Sequence, residues 1–396
     1  MRRYALLFIL LVLCAGFVFS YDFGLLLVQK FEAENKYLTY TPAFIPWFSW
    51  NGGQGLSVYL SGSFSAEYNY SDDNIDSNDG WIKPVIRPEL SSFSISYRNG
   101  YISGIEAGRI WYNDALGVTA SGLFDGVHFE RSLAAGSISA NLFYTGFLYK
   151  ETAKILMTDS DWNAYFKPVD TVSDYFASRR LFAGGRWDMP LMEIHTLSIE
   201  ALAQFDLNGG SNSYNSQYAE VRMDFYTAHK LGITGGFIFE AIQSGDDDFS
   251  AGLGALAVLM MDMPGPLKNG LKLTAKFSSG AWNDTLIAFT PISYVSQGAV
   301  FSEPFSGLFL FRADYDARIL PSLFAEGNLS YFARTQSEPG EDGNLLGAEI
   351  WASLAWQPYD DLRANLGFGA FLPGMGNANP NNDTMWKFHV GISFSL

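Results

Sequence analysis

From Trp386 to Leu396 every second side chain is apolar. Trp386, Phe388, Val390, Ile392, Phe394 and Leu396 form one set, and Lys387, His389, Gly391, Ser393 and Ser395 form the other. Among regular structures only a strand puts two such sets on opposite faces, because its side chains alternate with a period of two. The same split runs through Leu197 to Leu207, where Glu200, Gln204 and Asp206 share the polar face, and through Ala219 to Phe225, with Glu220, Arg222 and Asp224. It returns in Phe309 to Ile319, Leu60 to Tyr70, Ile138 to Leu148, Leu271 to Phe277, Leu323 to Ala333, Ala348 to Trp356 and Leu362 to Ala370. A soluble sandwich alternates too, but its strands usually run to about 5 to 6 residues. Many of these segments reach the length of about 9 to 11 residues that a tilted strand needs to cross a bilayer.

The connections carry a second rhythm. Short ones fall near Arg98-Asn99-Gly100, Leu133-Ala134-Ala135, Met189-Pro190-Leu191, His229-Lys230, Gly265-Pro266-Leu267, Leu320-Pro321 and Pro358-Tyr359-Asp360. Long polar ones lie near 71–85, 113–120, 150–177, 208–216, 243–249, 281–302, 335–344 and 373–383, and the two kinds alternate. A transmembrane barrel has this asymmetry, with tight periplasmic turns and longer extracellular loops. The expected fold is therefore all-β: a transmembrane, antiparallel, up-and-down β-barrel over residues 54–396, with about 16 strands. Residues 21–53 are left over. They form either an extra hairpin, which makes 18 strands, or a plug in the lumen.

Met1-Arg2-Arg3 followed by an uncharged apolar run to Phe19 reads as a secretory signal over residues 1–20, cleaved near Ser20. Its loss takes the formal net charge from −16 to −18, which makes nucleic acid an improbable partner. The single cysteine, Cys14, lies inside that segment, so the exported chain has no disulfide and no thiolate nucleophile or ligand. After the signal no apolar run is long enough for a helical span. A mean hydropathy of only +0.04 with 16% aromatics fits strands whose polar lumen residues offset their lipid-facing ones.

Two kinds of resemblance follow. The C-terminal pattern ending at Leu396 resembles the signal that the outer-membrane barrel assembly machinery reads, although the last residue there is usually aromatic. Ala107-Gly-Arg-Ile-Trp-Tyr-Asn-Asp with Gly122-Leu-Phe-Asp-Gly-Val127, and Leu346-Gly-Ala-Glu-Ile350 running on to Phe371-Leu-Pro-Gly374, look like the porin and alginate-export group of barrels. The resemblance implies the bacterial outer membrane, contact with its lipid, and passive diffusion through the lumen. The basic pore of alginate exporters is not clearly reproduced in so acidic a chain.

Strand parity points Arg98, Arg222, Asp224, Arg312, Asp314, Asp316, Arg318, Arg334, Glu349 and Arg363 into the lumen, together with Glu200, Asp206, Glu220 and Glu326. Charges of both signs there either set the field of a hydrated pore or pair across strands and fill it. Arg109 joins them only if a bulge near Gly108 reverses its parity. No catalytic site, cofactor or metal is expected. His128, His195, His229 and His389 are scattered, and His128, near Asp125 and Glu130, has no serine that can be placed with it. Asp72-Asp73-Asn74-Ile75-Asp76 and Asp246-Asp247-Asp248 lack the spacing of a calcium loop and read as solvated tips. The expected function is a porin-like channel for small hydrophilic solutes. The alternatives are a hydrophobic-substrate transporter plugged by 21–53, and an adhesin or structural barrel acting through its long loops.

Overall fold

The computed structural model describes residues 20–71, 84–100, 102–169, 171–192, 194–208, 213–227, 230–245, 249–265, 267–282, 285–336 and 343–396. Residues 1–19 of the expected signal, with Cys14, together with His229 and the two acidic loop tips, lie outside them.

The chain forms eighteen strands in one sheet. They are β1 (Ser20–Glu34), β2 (Tyr37–Gly53), β3 (Leu56–Ser71), β4 (Val85–Asn99), β5 (Ser103–Asn113), β6 (Ser121–Leu133), β7 (Gly136–Tyr144), β8 (Arg180–Met192) and β9 (His195–Asp206). The series continues with β10 (Tyr214–Tyr226), β11 (Leu231–Ser244), β12 (Ser250–Met263), β13 (Asn269–Ser278), β14 (Leu308–Leu320), β15 (Leu323–Arg334), β16 (Leu345–Tyr359), β17 (Leu362–Leu372) and β18 (Met385–Ser395). Each strand pairs antiparallel with its neighbour in sequence, and β1 pairs with β18 from Leu26↔Ser395 to Glu34↔Lys387, so the sheet closes. Closure gives every strand two neighbours, as a sheet in hydrocarbon requires, although β4 and β5 pair only from Phe93↔Arg109 to Asn99↔Ser103.

Of the two counts left open by the sequence, about sixteen and eighteen, the sheet has eighteen. The added pair is the hairpin β1–β2, in register from Ser20↔Asn51 to Glu34↔Tyr37. Residues 21–53 are thus part of the wall and not a plug. Alternation inside this hairpin is blurred by aromatic and proline residues such as Pro42 and Pro46, which is why its strands read weakly in sequence. Two boundaries also move. The strand expected over Ile138 to Leu148 stops at Tyr144, where Thr145 and Leu148 form a turn instead. The turn expected at Met189-Pro190-Leu191 falls after Met192.

At one end the connections are short. Gly55 shows why glycine is needed there: its φ is +85°, and an added Cβ would lie 1.9 Å from the Arg98 carbonyl oxygen. At the other end run the long connections. Three of these enter the bore with their described residues: 114–120; 145–169 and 171–179, with short helices α1 (Lys150–Ala153), α2 (Asp159–Phe166) and α3 (Val172–Tyr175); and 279–282 and 285–307. Their apolar residues meet inward-facing side chains of the wall in a buried cluster that includes Leu116, Phe124, Phe143, Leu148, Phe182, Ile238, Phe289 and Ile292. The hydrophobic core therefore lies inside the barrel. The outer face instead exposes Phe64, Ile95, Leu142, Leu329, Ile350 and Phe368 to the surroundings. Burying such a band in lipid is the reason for this inside-out arrangement.

Candidate functional site: the bore and its in-folded loops

A loop inside a barrel has no sheet partner, so its buried amides need other acceptors. In loop 114–120 one acceptor is local. Asp114 takes Leu116 N at 3.0 Å, Val118 N at 3.2 Å, Thr119 N at 3.0 Å and Ala120 N at 2.7 Å, which folds the segment around a single carboxylate.

The other acceptors come from the wall. Glu200 on β9 accepts from Ala115 N at 2.6 Å and from the Tyr112 hydroxyl. Glu220 on β10 accepts from the Thr119 hydroxyl at 2.5 Å and from Leu116 N at 3.4 Å. Glu240 on β11 takes Thr290 N at 2.8 Å. Glu349 on β16 takes Ala299 N and Val300 N at 2.9 Å and Phe301 N at 2.7 Å. All four carboxylates are buried, with Glu220, Glu240 and Glu349 at 0% exposure. Period two explains their placement: every second residue of a strand reaches the bore, and in these strands a glutamate stands where a loop passes.

The middle loop is held by charge. Arg180, at the start of β8, is fully buried and donates to Asp161 Oδ2 at 2.7 Å and to the Tyr214 carbonyl at 3.1 Å. Asp161 also accepts from Met157 N and Thr158 N, so it caps α2 while holding that helix to the wall.

The residues singled out from sequence fall into separate groups. Arg222 and Asp224 pair through Nε at 2.8 Å, and Arg222 reaches the Ala115 carbonyl at 2.9 Å, so this pair backs loop 114–120. Arg312 donates to Ser330 Oγ at 2.9 Å and to the Gln297 carbonyl, under loop 279–307. Glu349 belongs to the same loop and is one of its anchors. Asp314 lies beside them with Oδ2 buried and unpartnered. The Asp224 and Arg312 groups stand on β10 and β14, four strand steps or roughly 19 Å of wall apart. Towards the short-turn end, Asp316, Arg318 and Glu326 line one hollow, where Arg318 lies over the Phe324 ring at 5.4 Å. Arg98 and Arg363 stand still lower, Arg363 near Asn365 at 3.3 Å, and Arg334 ends β15 at the long-loop end.

Arg109 does not turn into the bore. The β5–β6 ladder runs without a bulge through Gly108↔Gly126, so Arg109 shares a face with the exposed Ile105 and Trp111. It is nevertheless only 6% exposed. The β4–β5 ladder ends at Phe93↔Arg109, and above that point the guanidinium bridges the two strands. It donates to Asp125 at 2.8 and 2.9 Å, to the Leu90 carbonyl at 2.6 Å and to the Phe147 carbonyl at 2.9 Å.

Sequence reasoning missed Arg180, Asp161, Asp114 and Glu240. A buried arginine at a strand start carries no pattern of its own, and Asp114 reads as an ordinary loop acid. Lys272 and Lys276 on β13 also face the bore, Lys276 donating to Gln297 Oε1 at 2.8 Å. Among the described residues no group of three or more His, Cys, Asp or Glu side chains could hold a metal ion.

No family model and no curated protein matches the chain. Solved structures do. The crystal structure of Pseudomonas aeruginosa OccK5 (OpdH) superposes with a TM-score of 0.63 at 10% identity, over 95% of this chain and 98% of that one. Pseudomonas aeruginosa OpdK with vanillate gives 0.63 at 12%, again over 95% and 98%. OccK2 (OpdF) of the same organism, in complex with glucuronate, gives 0.57 at 13%, with the same coverage. At these identities the likeness is one of fold. The expected resemblance to the porin and alginate-export group is matched only loosely.

Proposed function

We propose that this protein is an outer-membrane channel through which small hydrophilic solutes diffuse. The observation that carries the reading is the opposition of faces in a closed barrel of eighteen strands: an apolar band outside and charged or polar residues on every strand inside, narrowed by loops held to the wall. Eighteen tilted strands at about 4.8 Å spacing enclose a bore roughly 35 Å across between backbones, far more than side chains alone fill. The three in-folded loops therefore set how wide the path is.

The short-turn end, which also receives β1 and β18, is the periplasmic side in this reading, and the long loops face outward. Arg98, Arg222, Asp224, Arg312, Asp314, Asp316, Arg318, Arg334 and Arg363 are the charges that shape the field along the path, while Glu349 acts through the loop it anchors. The fold neighbours solved with vanillate and with glucuronate support small organic solutes as the class. The barrel assembly machinery and outer-membrane lipid are the partners proposed for the C-terminal strand and the outer band. Residues 1–20 are proposed as the export signal.

The test is conductance. Purified protein added to a planar lipid bilayer should give stable unitary current steps in molar salt. A folded barrel that inserts and passes no current would refute the reading.

A further inference from the structure

Towards the long-loop end the wall parts between β4 and β5. β4 stays paired with β3 up to Glu67↔Val85, and β5 with β6 up to Asn113↔Ser121, but the two strands pair with each other only from Asn99↔Ser103 to Phe93↔Arg109. Beyond that point each has a ladder on one side only. The parting begins at a bulge: Ser61↔Ser92 is followed by Gly62↔Leu90, so Ser91 is left over and β4 bends away. The outer face is still apolar at this level, since Phe64, the partner of Pro88, is 55% exposed. Unpaired backbone is costly in hydrocarbon, so a gap at such a level is exceptional.

Side chains close the gap in place of a ladder, and most belong to the in-folded loop between β7 and β8. On the β4 side Glu151 pairs with Arg87 at 2.7 Å, the Thr152 hydroxyl donates to Glu89 Oε2 at 3.0 Å, and the Tyr175 hydroxyl donates to the Pro88 carbonyl at 2.6 Å. On the β5 side Arg109 Nη2 donates to the Phe147 carbonyl, while its Nη1 reaches across to the Leu90 carbonyl. The bulge sorts the two surfaces of this stopper. Ile86 and Leu90 point outwards and, with Trp111 and Phe147, make an exposed apolar rim. Arg87 and Glu89 point inwards and, with Glu151 and Thr152, make a polar one. The Thr152 and Tyr175 bonds lie open to solvent, and contacts of that kind give way more readily than a backbone ladder.

We infer that this seam is a side port through which a single-chain amphiphile, with a polar head that carries no negative charge, passes between the bore and the surrounding bilayer. The tail fits the apolar rim and the head fits the hydroxyl and charged groups behind it. A wholly polar solute gains nothing from the rim, and a wholly apolar one would strand the charges. An anionic head would meet Glu67, Glu89, Glu151 and Asp125 against only Arg87 and Arg109, both of which are already paired with carboxylates. A protein strand added to the open edges is disfavoured as well, because the Pro88 and Leu90 carbonyls are taken by Tyr175 and Arg109. Withdrawal of Glu151, Thr152 and Tyr175 from β4 is the movement that opens the port. The inference rests on the channel reading for the bore it opens into and for the leaflet it serves, the outer one, but its detection does not need conduction.

The experiment is thiol labelling of the full-length protein, with Cys14→Ser, in phosphatidylcholine vesicles. One chain carries Thr152→Cys, behind the seam. A second carries Ser296→Cys, exposed on the loop between β13 and β14 and away from the seam, together with Thr152→Val so that both chains lack the same hydroxyl. The probes are N-dodecylmaleimide, which resides in the bilayer, and a short sulfonate-bearing maleimide, which stays in water and corrects for the reactivity of each thiol. The corrected dodecyl rate should be at least about tenfold higher at position 152 than at 296, and Tyr175→Phe should raise it about three- to tenfold more, as the loss of one hydrogen bond implies. A dodecyl chain with a carboxylate beside its maleimide should react more slowly at 152. Should Thr152→Cys not fold, judged by heat-modifiable gel mobility, Ala153→Cys takes its place. Equal corrected rates at the two positions, no response to Tyr175→Phe in a folded barrel, or a preference for the carboxylate probe would each overturn the inference. Current steps in a planar bilayer together with equal rates would remove the port and leave the channel standing. Preferential labelling of a barrel that passes no current would do the reverse.

Discussion

Glu349 holds loop 279–307 through three amides, so its removal should release that loop while the barrel persists. A hydrogen bond to a charged group contributes about 1.5–3 kcal/mol, and an amide left buried and unpaired costs about 1–3 kcal/mol. Glu349→Ala leaves Ala299, Val300 and Phe301 without acceptors, which sums to about 3–9 kcal/mol against the docked loop. Phe301 also stacks on Phe371 at 4.0 Å and 8°, a contact that the variant keeps and that favours the lower part of the range. Glu349→Gln retains one acceptor oxygen but turns an NH2 group towards donors, so it should fall between wild type and alanine. The readout is thiol labelling of Val300→Cys, a position only 2% exposed, in a chain whose one cysteine, Cys14, is replaced by serine. Labelling through transient opening follows the opening free energy, about tenfold per 1.4 kcal/mol. Glu349→Ala should therefore speed modification by at least about 100-fold. Circular dichroism should stay that of a sheet, and unitary conductance should rise. Labelling within about threefold of the parent would show that the carboxylate does not hold the loop.

Four further outcomes are expected. Leu329→Lys, on the lipid face midway along β15, should cost about 2–4 kcal/mol in a denaturant titration from lipid vesicles, and Asn328→Lys, pointing into the bore, should cost clearly less; equal costs would reverse the assigned faces. Arg180→Ala strands the buried Asp161 charge, and calorimetry should register about 3–5 kcal/mol of lost stability. Neutralising Arg312 and Arg318 together should shift the reversal potential in a salt gradient towards cation selectivity, and an unchanged potential would place both outside the conducting path. Asp174, whose carboxyl is held down at about 2 by the Lys167 ammonium and the Thr171 hydroxyl, lies below its ordinary 3.8. Its contacts therefore stabilise α3 above about pH 4 and are lost as the pH falls through 2. Exchange of the Thr171 amide should accelerate across that window in the parent, whereas in Asp174→Asn it should be fast throughout.

The parts of the molecule that sequence discloses are those governed by alternation. In β18 the set from Trp386 to Phe394 faces out and Lys387 to Ser395 faces in, as the spacing requires, and the same holds for β9, β10 and β14. Alternation fails to announce the hairpin β1–β2 because Trp47, Phe48 and Trp50 crowd both faces of one strand. It also says which face a side chain takes without saying what has folded in front of it. Gln204 illustrates the gap: its parity is lumenal, yet it is fully buried and accepts a hydrogen bond from the Ser216 hydroxyl. Loop anchors such as Glu200, Glu220 and Glu349 are legible as inward acids but not as acceptors of loop amides, since that depends on a chain segment 48 to 104 residues away. Arg109 shows the limit from the other side. Its outward parity could be read from Ile105 and Trp111, but the gap it spans arises only once β4 and β5 part company above Phe93.

The ladder between β1 and β18 differs in kind from every other pairing in the barrel. Each other strand meets a neighbour already beside it in sequence, so a series of local zippering steps can build the sheet with little loss of chain freedom at each one. Joining Leu26 to Ser395 instead closes a loop of nearly the whole chain. For a flexible chain that costs about 3–4 kcal/mol more than closing a hairpin, at about 0.6 kcal/mol per doubling of loop length. The preformed curvature of the other strands offsets part of this by bringing the two edges together. Until they meet, both edges offer unsatisfied amides and carbonyls to any other extended chain. The time between completing β18 and sealing that junction is the interval in which this protein is most exposed to pairing with the wrong partner, and the reciprocal Leu25–Leu396 backbone bonds at 3.0 and 2.8 Å lie at its short-turn end.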